Sequence, residues 1–111
     1  MQAGSLLKEI VATYEKHSWQ LRRVLLRTET RATLSDAGAL PAYAPIVEAT
    51  VDALWFSRPS PGLREAWELR LLTETPYALF EAFETQESEE SREAKRREME
   101  ERLERAESSR Q

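Results

Sequence analysis

The stretch that decides the predicted fold is "DALWFSRPSPGLREAWELRLL", residues 52–72. Apolar residues alternate with polar ones on both sides of a Pro-Gly pair, which is the pattern of a β-hairpin. The alternation places Trp55 and Trp67 on the same face of the two strands. We therefore expect a hairpin in which the two tryptophans face each other and are buried together.

The register of this hairpin depends on the length of its loop. The arrangement that sets Trp55 opposite Trp67 also sets Asp52 opposite Arg70, an opposite-charge cross-strand pair. It requires a loop of three or five residues, and the longer one, Pro59 to Leu63, keeps both prolines out of the strand pairing. A tight Pro-Gly turn would shift the register by one residue and remove the match.

Two elements are predicted before the hairpin. Residues 5–17 carry apolar residues at helical spacing and begin with Ser5, a residue type that caps helices. The run "WQLRRVLLR", residues 19–27, alternates as a strand does, with one face made of Trp19, Leu21, Arg23 and Leu25. Residues 28–49 are interrupted by Gly38, Pro41 and Pro45, which favours a short helical turn near Thr30–Leu34 and a loop from 38 to 45. Four of their apolar residues are expected to pack onto the rest: Leu40, Tyr43, Ile46 and Val47.

A second core helix is predicted after the hairpin, in "TETPYALFEAFE", residues 73–84. Thr75 can cap it, Pro76 suits its first position, and Leu79, Phe80 and Phe83 form an apolar stripe. The order of elements indicates an α+β two-layer fold, with a small antiparallel sheet of about three strands, helices on one face, and a long charged C-terminal helix.

The 111 residues have room for one domain, which we place at residues 1–85, followed by a charged helical tail at 86–111. The tail holds nine acidic and seven basic residues and neither glycine nor proline. Ion pairs at i,i+4 spacing favour a helix there. Its larger apolar residues, Met99 and Leu103, are too few to bury much surface, so the tail is expected to be dispensable for folding.

Composition argues against several functional classes. The chain has no cysteine and one histidine, His17, so neither a thiolate site nor a multi-histidine metal site can be built within it. We predict no catalytic residues, no metal and no cofactor. The net charge of −4 disfavours nucleic acid, and no apolar run is long enough to span a membrane. A cytoplasmic protein is expected.

The predicted sheet has apolar residues on both faces, because Val24, Leu26, Leu54 and Phe56 lie opposite the tryptophan face. Either residues 32–49 or another chain must cover them. The leading hypothesis is a non-enzymatic module that binds a protein partner or forms a homodimer. Its predicted interaction surface consists of Leu54, Phe56, Arg58, Met99 and Leu103.

Two other functions are less favoured by the sequence. Arg22, Arg58 and Phe56 on a sheet face could stack and hold single-stranded nucleic acid. A small enzyme with a site shared between two copies is the third hypothesis and has the least support.

Overall fold

The chain folds as a five-stranded sheet with helices on both faces, and the computed structural model describes residues 2–109. The helices are α1 (Ala3–Lys16), α2 (Thr28–Asp36) and α3 (Glu89–Ser109). The strands are β1 (Gln20–Leu26), β2 (Ile46–Glu48), β3 (Ala53–Ser60), β4 (Arg64–Leu71) and β5 (Ala78–Glu84). The strand order is β2-β1-β3-β4-β5, and only β1 and β2 run parallel. The α+β class and the long charged C-terminal helix are confirmed, with five strands in place of about three. The helices lie on both faces of the sheet and not on one as predicted, because α3 packs on the side opposite α1.

The hairpin of residues 52–72 forms, but its register differs by two residues from the predicted one. Trp55 lies opposite Leu69, and Trp67 lies opposite Ser57. A shift of two keeps every side chain on its predicted face. The two indole rings therefore still touch, as diagonal neighbours with centroids 5.9 Å apart and planes at 71°. Trp55 is fully buried and Trp67 is half-buried.

The turn explains the shift. β3 runs to Ser60 and β4 begins at Arg64, so the loop is shorter than the expected run from Pro59 to Leu63. Gly62, with φ of 77°, and Leu63, with φ of 58°, adopt the left-handed conformation that closes it. Pro59 is tolerated inside β3 because the pairing with β1 stops at Ser57, which lies opposite Gln20, the first residue of β1. On that side of Pro59 no strand accepts a hydrogen bond, so the missing N–H costs none.

The predicted pair of Asp52 and Arg70 does not form. Asp52 accepts a hydrogen bond from the backbone N–H of Arg27 at 2.8 Å. Arg70 is buried and donates to the backbone oxygens of Leu71 and Thr73. The Asp52 carboxylate also forms an ion pair with the Arg27 guanidinium at 3.3 Å, so each of the two charges has partners other than the predicted one.

The first predicted strand, β1, is confirmed but contains a β-bulge. Its pairing with β3 shifts between Leu21 and Arg23, which changes the residues that share a face. Leu21 joins Val24 and Leu26 in one core, whereas Leu25 belongs to the core on the opposite side. The expectation that Leu21 and Leu25 share a face is therefore wrong.

One face of the sheet, here called the α1 face, is covered by α1 and by residues 34–46. The predicted amphipathic helix is confirmed in α1, whose residues Leu7, Ile10 and Val11 are buried. The sheet residues of the α1 face are Leu21, Val24, Leu26, Leu54, Phe56 and Ala66. The sequence left open whether residues 32–49 or another chain covers these apolar side chains. In the structure, α1 and residues 34–46 of the same chain cover them.

Residues 28–49 contribute unevenly to this cover. Leu34 of α2 is fully buried, and Leu40 and Ile46 pack against the same core. Tyr43 and Val47, expected to pack as well, are exposed by 64% and 42%. The predicted helical turn is longer than expected, and the loop ends in the short parallel strand β2.

Residues 78–84 form the strand β5, so the predicted second core helix is wrong. β5 pairs with β4 over its whole length, from Ala78 to Glu84. Leu79 and Phe83 point to one side of the sheet and Phe80 to the other. A short cluster of this kind suits a helix and a strand equally well from periodicity alone, and pairing with β4 decides between them.

The opposite side of the sheet, here called the α3 face, lies beneath the charged C-terminal helix. Met99 and Leu103 are 2% and 0% exposed, so the expectation that they cannot belong to the core is wrong. The sheet supplies the apolar surface that the helix lacks, through Leu25, Val51, Ala53, Trp55, Leu69 and Leu71. The predicted tail is helical to Ser109, and its last two residues lie outside the described range. The boundary at residue 85 stays a prediction.

No helix within residues 2–109 combines the length and the apolar character that crossing a membrane requires.

Candidate interaction surface

The structure separates the residues predicted to form the interaction surface. Leu54 and Phe56 are fully buried beneath α1. Met99 and Leu103 belong to α3 and are buried between this helix and the opposite side of the sheet. Arg58 alone among the five is exposed. The five side chains therefore do not meet on one surface, because two belong to one core, two belong to the other, and Arg58 belongs to neither.

The residues of the nucleic-acid hypothesis are also occupied. Phe56 stacks on Tyr14, with ring centroids 4.0 Å apart, and is inaccessible to a base. The Arg58 guanidinium lies 4.4 Å from the centroid of the Trp19 ring. Arg22 donates a hydrogen bond to a serine hydroxyl of β3 at 2.8 Å. The structure thus brings no free aromatic ring together with these arginines.

A small polar cluster lies where the end of α1 meets β4. The hydroxyl of Tyr14 donates to the carboxylate of Glu68. Burial, reinforced by the neighbouring Glu68 carboxylate, raises the pKa of Tyr14 well above its ordinary value. The Nδ1 of His17 lies 2.9 Å from the Thr13 carbonyl oxygen. A tyrosine that keeps its proton links helix to strand and supplies no base or nucleophile at neutral pH.

An open groove of about 690 Å³ separates α1 from residues 37–43. Gly4 lets the two segments approach, since a Cβ at this position would lie 3.0 Å from the Cβ of Ala39. Leu7 and Val11 are the buried residues of its lining. Within residues 2–109, no group of three or more metal-ligating side chains is assembled, here or elsewhere.

β5 is one of the two edge strands of the sheet, and no strand within residues 2–109 pairs with its outer side. The Leu71 N–H donates to the Tyr77 carbonyl, and the Thr85 N–H donates to the Leu63 carbonyl. Because hydrogen-bonded pairs alternate along antiparallel strands, the odd-numbered residues of β5 bond to β4. The residues whose N–H and C=O groups point away from the sheet are Ala78, Phe80, Ala82 and Glu84.

Two side chains meet this outer row of backbone groups. The carboxylate of Glu81 accepts a hydrogen bond from the Ala82 N–H at 3.2 Å. Arg92 of α3 donates to the Glu84 carbonyl oxygen at 2.9 Å. α3 therefore closes the end of the edge at Glu84, and the stretch 78–82 is its open part.

Phe80 stands in the middle of this open stretch and is 59% exposed. It lies on the same side of the sheet as its small neighbours Ala78 and Ala82. The other edge strand, β2, has only three residues, and its Val47 is 42% exposed. Among residues 2–109, the open edge of β5, defined as residues 78–82, is thus the longer of the two unpaired strand edges, and it carries an exposed aromatic side chain.

The sequence does not predict this surface, because the spacing of apolar residues in 73–84 favours a helix. The available signal was the small-large-small alternation of Ala78, Phe80 and Ala82. Such alternation marks one side of a strand.

The comparisons with known proteins add no identity: no family model, curated protein or solved structure matches this chain.

Proposed function

We propose that this protein is a non-enzymatic interaction module that binds a protein partner by strand addition at the open edge of β5. The observation that carries this proposal is the outward row of backbone groups at residues 78–82, with Phe80 exposed at its centre. In strand addition, backbone hydrogen bonds supply affinity and alternate side chains supply specificity.

The covered faces of the sheet support an edge as the site. α1 and residues 34–46 cover one face from β2 to β4 and leave Phe80 of β5 exposed, and α3 packs on the other face. Proteins that keep a strand edge unpaired usually shorten it, bend it or place charge and proline on it. β2 follows that rule with three residues, whereas β5 pairs regularly through seven residues and exposes a phenylalanine. An edge of this kind favours pairing with another chain.

The chemistry of the chain supports a protein partner in the cytoplasm. A net charge of −4 disfavours nucleic acid as the ligand, and the lack of cysteine is compatible with a reducing compartment. Tyr14 is held protonated beside Glu68, which favours a structural role for the polar cluster over catalysis.

The test uses extended peptides of eight residues, selected from a random library against the immobilised chain at low density. A selected peptide titrated into the ¹⁵N-labelled protein should shift the amides of Ala78, Phe80 and Ala82 and slow their hydrogen exchange. Ala82→Pro removes one outward N–H and leaves the bonds to β4 intact, so it should weaken binding at least about tenfold.

Tyr43→Arg is the matched control, because Tyr43 is similarly exposed but lies outside the strands. It should leave peptide binding unchanged. Selected peptides that shift only residues around the α1 groove would contradict strand addition at β5, and so would a monomeric chain against which no peptide is enriched.

A further inference from the structure

We propose that the partner at the open edge is a second copy of this chain, paired antiparallel across a two-fold axis at Phe80. This inference rests on the proposed function and names its partner. It is drawn from the symmetry of residues 78–82, from their free backbone groups and from the charges on β5.

The outward side of residues 78–82 reads the same in both directions, as Ala-Phe-Ala. With the axis at Phe80, Ala78 of one copy faces Ala82 of the other, and the two Phe80 rings meet at the centre. Two-fold interfaces require this kind of self-complementary surface. Each large ring has a small alanine on either side, which leaves space for its counterpart.

The free backbone groups match the same axis. Hydrogen-bonded pairs exchange two bonds each, so three pairs, one at Phe80 and two between Ala78 and Ala82, give about six bonds. Only the contact between the Ala82 N–H and its neighbour Glu81 is displaced. The bond from Arg92 to the Glu84 carbonyl lies beyond the paired stretch and is kept.

The charges on β5 disfavour an axis displaced towards the end of the strand. An axis at Glu81 would place this carboxylate directly opposite its own copy, which is repulsive. An axis at Ala82 would place the apolar ring of Phe80 opposite the charged side chain of Glu84. This carboxylate already forms an ion pair with Arg64 at 3.2 Å. With the axis at Phe80, Glu81 faces Leu79 instead, and no two like charges lie opposite each other.

An axis displaced in the other direction is disfavoured by proline. With the axis at Leu79, Ala82 would face Pro76, which has no N–H to donate. The number of bonds would fall, and Phe80 would face Ala78 rather than its own copy. Phe80 is therefore the position at which symmetry, hydrogen bonding and charge agree.

The first test is the mass of the full chain by light scattering over a range of concentrations. We expect a concentration-dependent rise from 12.8 kDa to twice that value. Phe80→Arg and Ala82→Pro should each abolish the rise, whereas the control Tyr43→Arg should keep it. All three changes lie outside the backbone bonds between β4 and β5, and far-ultraviolet circular dichroism verifies that each variant is folded.

The second test maps the axis with cysteines, since the chain has none of its own. In a hydrogen-bonded antiparallel pair, opposite Cα atoms lie about 5.5 Å apart, within the range that a disulfide spans. Mild oxidation with diamide should therefore link Phe80→Cys into a covalent dimer. Ala78→Cys and Ala82→Cys should not link alone, but an equimolar mixture of the two should form a mixed dimer.

The outcomes separate the two proposals. A chain that stays monomeric to millimolar concentration while peptides still bind β5 overturns the second copy and leaves strand addition standing. A dimer in which Ala78→Cys links to itself, or in which Phe80→Cys does not link, overturns the axis at Phe80. Absence of both a dimer and peptide binding overturns both proposals.

Discussion

The two faces of the sheet are covered by helices of opposite character. α1 buries Leu7, Ile10 and Val11 on the α1 face, as an amphipathic helix is expected to do. α3 has 21 residues, yet the residues it buries on the α3 face are only Arg96, Met99 and Leu103. The difference shows that a helix with little apolar surface can cover a sheet when that sheet is itself rich in large apolar side chains.

Polar side chains of α3 complete the cover by binding to aromatic rings. The guanidinium of Arg96 lies 4.8 Å from the centroid of the Trp67 ring and donates to Glu93 at 2.9 Å. The indole N–H of Trp55 donates to Glu100 at 2.8 Å. These contacts satisfy the polar ends of groups whose flat faces are buried, which is how amphipathic side chains contribute to a core.

The largest expected effect comes from removing α3. A chain ending at residue 87 uncovers Trp55, Leu25 and Leu69, so it should lose more than the ~2–5 kcal/mol that one core leucine truncation costs. Urea unfolding followed by tryptophan fluorescence measures the loss. Glu98→Ala with Arg102→Ala, on the exposed side of α3, is the control and should change little.

A truncated chain that unfolds cooperatively at an unchanged midpoint would show that the domain ends at residue 85, as the sequence predicts. It would also show that α3 is not needed to stabilise the sheet, so the comparison between the helices on the two faces would no longer hold.

A smaller effect is expected from Arg96, which is 3% exposed. Arg96→Ala removes the cation over Trp67 and the hydrogen bonds to Glu93 and Glu89, so it should destabilise by about 1–3 kcal/mol. Arg97→Ala, at the exposed neighbouring position, should stay within about 0.5 kcal/mol. Equal effects of the two substitutions in the same urea measurement would show that the charges of α3 do not stabilise its docking.

The smallest expected effect is a pH dependence at the contact between Glu93 and Arg23. Hydrogen bonds from Arg23, and then from Arg96, lower the pKa of Glu93 from 4.5 to about 2. A lowered pKa in the folded state stabilises the fold above pH 4.5, and this contribution is lost as the pH falls towards 2. Because Glu93 is partly exposed, we expect at most about 1 kcal/mol.

The measurement compares the unfolding free energies of the wild type and Glu93→Gln between pH 7 and pH 2. The difference should be constant above pH 5 and close to zero at pH 2. A difference that does not change with pH would mean that the carboxylate is not stabilised by the arginines.

The sequence predicted those elements whose periodicity is local. The stripe of α1, the alternation of β3 and β4, and the ion-pair spacing of α3 are each contained in one segment, so they could be identified without knowing any partner. The candidate site could not be predicted. The site lies on β5, whose apolar residues fit the periodicity of a helix as well as that of a strand. The open edge of β5 results from the strand order of the folded sheet, in which β5 comes last.

By itself, then, the sequence determined the α+β class, the hairpin and its two faces, and the helical character of the C-terminal residues. The tertiary structure decided the pairing of β5 with β4, the two-residue shift that sets Trp55 opposite Leu69, and the burial of Met99 and Leu103. The physical reason is the range of the interactions. Side-chain periodicity is encoded within a few residues, whereas register and helix docking depend on free-energy differences between surfaces that meet only after the chain has folded.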